Sequence, residues 1–220
     1  MNEIRLIEVK EDILADNDAA ADGLREKLKQ KNTFMINLMA SPGAGKTSLL
    51  LRTIDALKND LKLAVIEADI DSMVDAEKIA ATGIKSVQLR TGGFCHLDVS
   101  MVKKGLEAVD TEALDLIFIE NVGNLVCPAE FDTGATKDIM ILSVPEGDDK
   151  PLKYPLMFSK CHVLLVNKID YLSLSDFNMA LLEERVKKLN PDIEIFKVSC
   201  KTGEGIDAWA GWLKNAVIKK

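Results

Sequence analysis

Ser41-Pro42-Gly43-Ala44-Gly45-Lys46-Thr47-Ser48 brings together the residue types that grip a chain of phosphates. Gly43 and Gly45 let the backbone turn with its N–H groups facing inward, and such donors at the start of a helix hold phosphate oxygens. Lys46 is placed to reach the β- and γ-phosphates of a nucleoside triphosphate, and the Thr47 hydroxyl to bind Mg²⁺. The expected nucleotide-binding set is Gly43, Ala44, Gly45, Lys46, Thr47 and Ser48. One departure is plain: Ala40 stands where the consensus phosphate loop begins with glycine. Alanine is small, and the loop is expected to survive it. The same residues also suit a plain turn before a surface helix with a solvated lysine.

Asn167-Lys168-Ile169-Asp170 follows an apolar run. In the pattern Asn-Lys-x-Asp the carboxylate accepts from the N1–H and the exocyclic amino group of guanine. Adenine lacks that donor pair, so the wrong base leaves polar groups unpaired. Ser199 and Lys201, after the next apolar run, suit a second base-contacting loop. GTP is therefore favoured over ATP. A helix N-cap formed by Asp170 or Ser173 is the structural alternative.

Mg²⁺ needs hard oxygen ligands. Thr47, Asp69, Asp75 and Glu120 are the candidates, directly or through water, and Asp71 is a further one. With Lys46 they form the candidate catalytic set, for in-line attack of water on a γ-phosphate helped by positioning and charge stabilisation. Glu120-Asn121-Val122-Gly123 occupies the place of an Asp-x-x-Gly switch, with Glu replacing Asp and no glutamine after Gly123. Slow intrinsic turnover is expected, with a second subunit or a partner completing the site.

Cys95, His96 and Cys127 are a softer donor set, suited to zinc or nickel. Three ligands leave a closed tetrahedral site one short, and a two-fold dimer could supply the fourth. From spacing alone, isolated buried thiols and a surface histidine are the favoured reading. Cys161-His162 is also a Cys-His pair, but it opens an apolar strand and reads as packing. Cys200 has no ligand role.

The elements that must hold these groups are legible as alternating patterns. Apolar strands are expected at Phe34–Leu38, Leu63–Ala68, Ser86–Leu89, Leu114–Ile119, Ile139–Val144, Val163–Val166 and Ile193–Val198. Helical patterns follow most of them, at 76–81, 98–109 and 177–189, and a last helix carries Ile206, Trp209, Trp212, Leu213 and Val217. The two tryptophans read as core. Nearly unbroken apolar strands alternating with helices indicate an α/β fold: a mostly parallel central sheet with helices on both faces. Each polar motif follows a strand, which points to one site at the carboxyl edge. Residues 34–220 form the expected nucleotide-binding domain and residues 1–33 a helical extension packed on it, with Ile4, Leu6, Ile7 and Val9 as a short strand or arm and Ile13, Leu14, Ala20, Ala21, Leu24 and Leu28 on one stripe.

The chain has 220 residues, a net charge of −7 and no basic run, which gives no support to nucleic-acid or anionic-membrane binding. No apolar run approaches the ~20 residues of a membrane span. Four scattered cysteines fit thiols or ligands in a reducing compartment, so the cytoplasm is expected.

Together these segments resemble the HypB family of hydrogenase nickel-incorporation GTPases, within the SIMIBI class of P-loop GTPases. The likeness covers nearly all of residues 34–220. It rests on Ala40–Thr47, Glu67–Asp71, Thr91–Leu97, Glu120–Pro128, Asp149–Pro155 and Asn167–Asp170. It implies a GTP-hydrolysing metallochaperone that helps deliver nickel to the large subunit of nickel–iron hydrogenase, with a HypA-type accessory protein. It also implies a homodimer that responds to nucleotide and metal, nickel or zinc at Cys95, His96 and Cys127, and Lys153 reaching a partner subunit's nucleotide. Residues 1–33 contain no Cys or His, so high-capacity nickel storage there is not expected. UreG-type urease GTPases, GTPases serving a cobalamin-dependent mutase and a non-catalytic nucleotide-dependent scaffold are the competing readings.

Overall fold

A computed structural model describes residues 9–70, 74–109 and 113–219. Its centre is strand β1 (Phe34–Ala40), all seven residues of which are buried. Alternate side chains face opposite layers. Phe34, Ile36 and Leu38 pack under helices α2 (Lys46–Leu57) and α9 (Ile206–Ile218), while Met35 packs under α1 (Val9–Gln30) and α4 (Val99–Val109). A run apolar on both faces is what a covered parallel strand requires.

Beside β1 lie β4 (Leu116–Glu120) and β5 (Lys137–Ser143). Outward from β4 come β2 (Leu63–Asp69) and β3 (Lys85–Arg90), and outward from β5 come β6 (Val163–Asn167) and β7 (Glu194–Lys197). The order is therefore β3-β2-β4-β1-β5-β6-β7, and every pairing is parallel. Succession leaves β1 in both directions, so the crevice at its carboxyl end is the switch point where such sheets bind ligands. A third apolar cluster joins β5 and β6 to α7 (Pro155–Lys160) and α8 (Met179–Leu189). Helices α3 (Val74–Ala80), α5 (Cys127–Glu130) and α6 (Lys150–Lys153) are short.

Trp209 is a core residue, and Trp212 packs half-buried against that core. Trp209 and Trp212 stack with centroids 5.5 Å apart, and buried Trp209 donates from Nε1 to Thr53 Oγ1 at 2.9 Å. Some boundaries differ from the sequence expectation for local reasons. β4 begins at Leu116 because Ala113 turns in the left-handed region (φ 68°) and the Asp115 carboxylate accepts from Lys62 N. β5 ends at Ser143, where Ser143 and Glu146 form a reciprocal cap over a single helical turn. α8 starts at Met179 because the Asn178 carboxamide caps it, accepting from Leu181 N. On α1, Ala21, Leu24 and Leu28 are buried as the stripe predicts, but Ile13 is 54% exposed. The arm expected from Ile4, Leu6 and Ile7 lies outside the described residues.

Candidate nucleotide and metal site

The phosphate loop joins β1 to α2. Gly43 (φ 76°) and Gly45 (φ 101°) both occupy the left-handed region, so each needs glycine's freedom. A Cβ on Gly45 would also stand 2.5 Å from Asn167 Nδ2. Ala40 is the last residue of β1, fully buried and outside the left-handed region, so nothing in the backbone demands glycine there. Ala44 turns its side chain into the core and presents only backbone.

A cavity of about 540 Å³ opens over this loop. Gly43, Gly45, Lys46, Thr47 and Ser48 line it from one side, and Asp69, Asp75 and Glu120 from the other. Thr47 Oγ1 donates to Glu120 Oε1 at 2.7 Å, so two expected cation ligands meet. Asp75 pairs with Lys78 at 2.7 Å on the rim. Asp71 lies outside the described residues. Burial holds the Lys46 ammonium below its ordinary value, opposed by the carboxylates of Glu120 and Asp75.

Sequence reasoning missed Glu67 as a site residue. It sits opposite Glu120 in the β2–β4 register and lines the same cavity. Burial, and then the neighbouring charges of Glu120, Asp69 and Asp75, push its carboxyl up to about 8. Burial raises Glu120 too, against the Thr47 hydrogen bond and Lys46. Glu67 Oε2 and Glu120 Oε2 are buried with no hydrogen-bond partner. Two enclosed carboxylates with orphaned oxygens beside a hydroxyl are a donor set that a hard divalent cation satisfies. The signal was present in the sequence: a glutamate inside an apolar run buried on both faces has no packing reason to be there.

A second cavity of about 350 Å³ adjoins the first and shares Gly45, Ser48 and Lys168 with it. Asp170, Lys201, Tyr171 and Pro145 complete its wall with Asn167 and Cys200. Asn167 builds this end of the site. Its Nδ2 donates to Ala44 O at 3.0 Å, and its Oδ1 accepts from Lys168 N at 2.8 Å and Cys200 N at 3.3 Å. Lys168, in the left-handed region, donates from Nζ to Gly43 O at 2.7 Å. Asp170 caps no helix; it accepts from Ser199 Oγ at 2.6 Å. Ser199 is wholly buried, with its hydroxyl turned to the Asp170 carboxylate.

Cys95, His96 and Cys127 converge at the same edge of the sheet. Their ligand atoms all lie within 4.8 Å of one another, with the sulfurs 2.8 Å apart and Cys95 Sγ 3.9 Å from His96 Nδ1. His96 stacks on Phe131 at 3.9 Å between centroids. Burial lowers the His96 imidazole, favouring the neutral, ligating form. The hydrogen bond from Cys95, then burial, raises the Cys127 thiol. Among the described residues this is the one such group of three. The Cys161–His162 pair behaves differently: Cys161 is wholly buried with its thiol pushed up to about 12, and His162 Nδ1 accepts from Asp138 N.

The family described as CobW/HypB/UreG, nucleotide-binding domain, matches residues 34–197. Hydrogenase maturation factor HypB of Azotobacter vinelandii is 46% identical over 215 residues, covering 98% of this chain and 71% of that protein. The crystal structure of HypB from Archaeoglobus fulgidus superposes with a TM-score of 0.86 at 34% identity, covering 92% of this chain and 99% of that one. The crystal structure of HypB from Helicobacter pylori in complex with nickel gives 0.88 at 35% identity, covering 93% and 96%. The chain belongs to the HypB family of hydrogenase maturation factors.

In this HypB-family chain the two donor sets are linked by a buried side chain. Asn121, next after Glu120, accepts on Oδ1 from Leu97 N at 3.2 Å and from Val122 N at 2.9 Å. Its Nδ2 donates to Asn37 Oδ1 at 3.1 Å, on the central strand. Thr91 N donates to Asp69 O, and Asn124 Nδ2 to Cys95 O at 3.4 Å. Gly123 presses on the phosphate loop, since a Cβ there would stand 3.1 Å from Pro42 Cγ. Lys153, at the end of α6, pairs with Asp149 at 2.6 Å.

Proposed function

We propose that this chain is a GTP-hydrolysing nickel metallochaperone whose nucleotide and metal occupancies are coupled, and that it works as a homodimer assembled by GTP and metal. The carrying observation is the placement of two donor sets of opposite hardness on one short segment. Glu120 faces the phosphate cavity, Cys127 faces the thiolate–imidazole cluster, and Asn121 tethers the segment between them.

Each residue has a role in this account. Backbone N–H groups from Gly43 to Ser48 hold phosphate oxygens, and Lys46 answers the charge of the β- and γ-phosphates. Asp170, oriented by Ser199, accepts from guanine, with Asn167 and Lys168 bracing the pocket and Lys201 on its wall. Thr47 and Glu120, with Asp69, Asp75 and Glu67 around them, would hold Mg²⁺. When bound, that ion neutralises phosphate charge. The orphaned oxygens of Glu67 and Glu120 fit this donor role. Cys95, His96 and Cys127 take nickel or zinc, and a second subunit supplies what three ligands leave open.

The maturation role extends to a HypA-type accessory protein and to the hydrogenase large subunit, reached directly or through that accessory, in the cytoplasm. Residues 1–33 act as an extension of the domain formed by 34–220. Sedimentation analysis with and without GTPγS and Ni²⁺ tests the assembly. A dimer gained with both ligands supports the account, and a monomer under all conditions contradicts it.

A further inference from the structure

Helix α1 touches both segments that carry the soft-metal ligands, and one buried side chain on it bonds to each. Asn17 is 8% exposed. Its Oδ1 accepts from Val99 N at 3.1 Å, at the start of α4 just after His96 and Leu97. Its Nδ2 donates to Asp132 O at 2.9 Å, just beyond α5 and Phe131. The segment that follows presses on α1, where a Cβ on Gly134 would stand 2.9 Å from Leu24 Cδ2. Arg25 adds a bidentate grip on the Asp132 carboxylate at 2.7 and 2.8 Å.

We propose that Asn17 is a positioning residue for the metal cluster, fixing the separation of the Cys95–His96 loop from the Cys127 segment, so that the N-terminal helix sets how well the ligands converge. The proposal rests on the reading of Cys95, His96 and Cys127 as metal ligands. The connection is short at each end. Val99 follows the His96 loop directly, and Asp132 follows Phe131, on which the His96 ring stacks. A carboxamide supplies one acceptor and one donor in a fixed plane, so it holds both backbones at once. Losing a partner that orients a ligand commonly weakens metal binding by about 10- to 100-fold.

The test is a Ni²⁺ titration of the full chain, followed by thiolate-to-metal charge-transfer absorption, with GTPγS affinity measured in parallel. Asn17→Leu is near-isosteric and makes neither bond. It should weaken Ni²⁺ about tenfold and alter the band, while GTPγS affinity of the metal-free protein stays at the wild-type value. Asn17→Asp keeps the acceptor for Val99 N, where a carboxylate suits a helix start, but loses the donor to Asp132. It should weaken Ni²⁺ in the same direction and carries the test if the leucine variant does not fold. Leu28→Ala loosens the same helix without touching either ligand segment's backbone and should lower thermal stability with the band unchanged. A wild-type band and affinity in both Asn17 variants would overturn the proposal, as would equal weakening in Leu28→Ala. A wild-type chain with no thiolate band would instead remove the ligand reading, and the proposal with it.

Discussion

The side-chain oxygen of Asn121 accepts the backbone N–H of Leu97 at 3.2 Å, inside the protein. That bond ties the loop bearing Cys95 and His96 to the residue beside Glu120, which holds the Thr47 hydroxyl. On the proposed coupling, a bound cation or phosphate that displaces β4's carboxyl end is expected to be felt at Cys95 and Cys127. Unmaking a buried hydrogen bond of this kind costs ~1–3 kcal/mol.

Lys46→Ala should abolish phosphate release in a single-turnover assay with GTP. The ammonium sits in the cavity over the loop, among the carboxylates of Glu120 and Asp75. No release from the unaltered chain would favour the scaffold reading, and release at the wild-type rate in Lys46→Ala would take Lys46 out of the catalytic set.

Glu67→Gln separates stability from function. The Glu67 carboxyl is raised in the folded state, from an ordinary 4.5 to about 8. Its favourable protonated contribution is full below the unfolded value and is lost as pH rises through about 8. The glutamine variant, which cannot ionise, should show a flatter melting temperature between those limits and a higher one at pH 8.5, in nucleotide-free protein. The same change should weaken Mg²⁺-dependent GTPγS binding, read as a rightward shift in the Mg²⁺ titration. An unaltered Mg²⁺ requirement would take Glu67 out of the cation site.

Asp170→Asn should lower GDP affinity by at least about an order of magnitude, because the amide cannot accept from both guanine donors as the carboxylate can. Affinity for xanthosine diphosphate should rise, because the amide can donate to the oxygen that replaces guanine's amino group. Equal affinity for guanine and adenine nucleotides in the unaltered chain would show that the second cavity does not read the base.

Much of the site was legible because its chemistry is local. The phosphate loop and Asn167–Asp170 are contiguous segments whose spacing encodes their geometry, and the parallel sheet follows from strands apolar on both faces. The bond from the Ser199 hydroxyl to Asp170 was not legible, because a sequence does not show which way a side chain turns. Glu67 was hidden in a strand, and Asn17 acts across 82 and 115 residues of chain, a separation that no local pattern encodes. The convergence of Cys95, His96 and Cys127 likewise needed the fold, since spacing alone favoured isolated thiols.

The central claim is the linkage between the two sites, and Ni²⁺ affinity measured in the presence of GTPγS–Mg²⁺ and of GDP tests it most directly. The account predicts a difference of at least about fivefold between the two nucleotide states, the lower range of typical coupling, abolished in Asn121→Ala and accompanied by loss of the site in Cys95→Ser and Cys127→Ser. Identical Ni²⁺ affinity in both nucleotide states of the unaltered protein would contradict it.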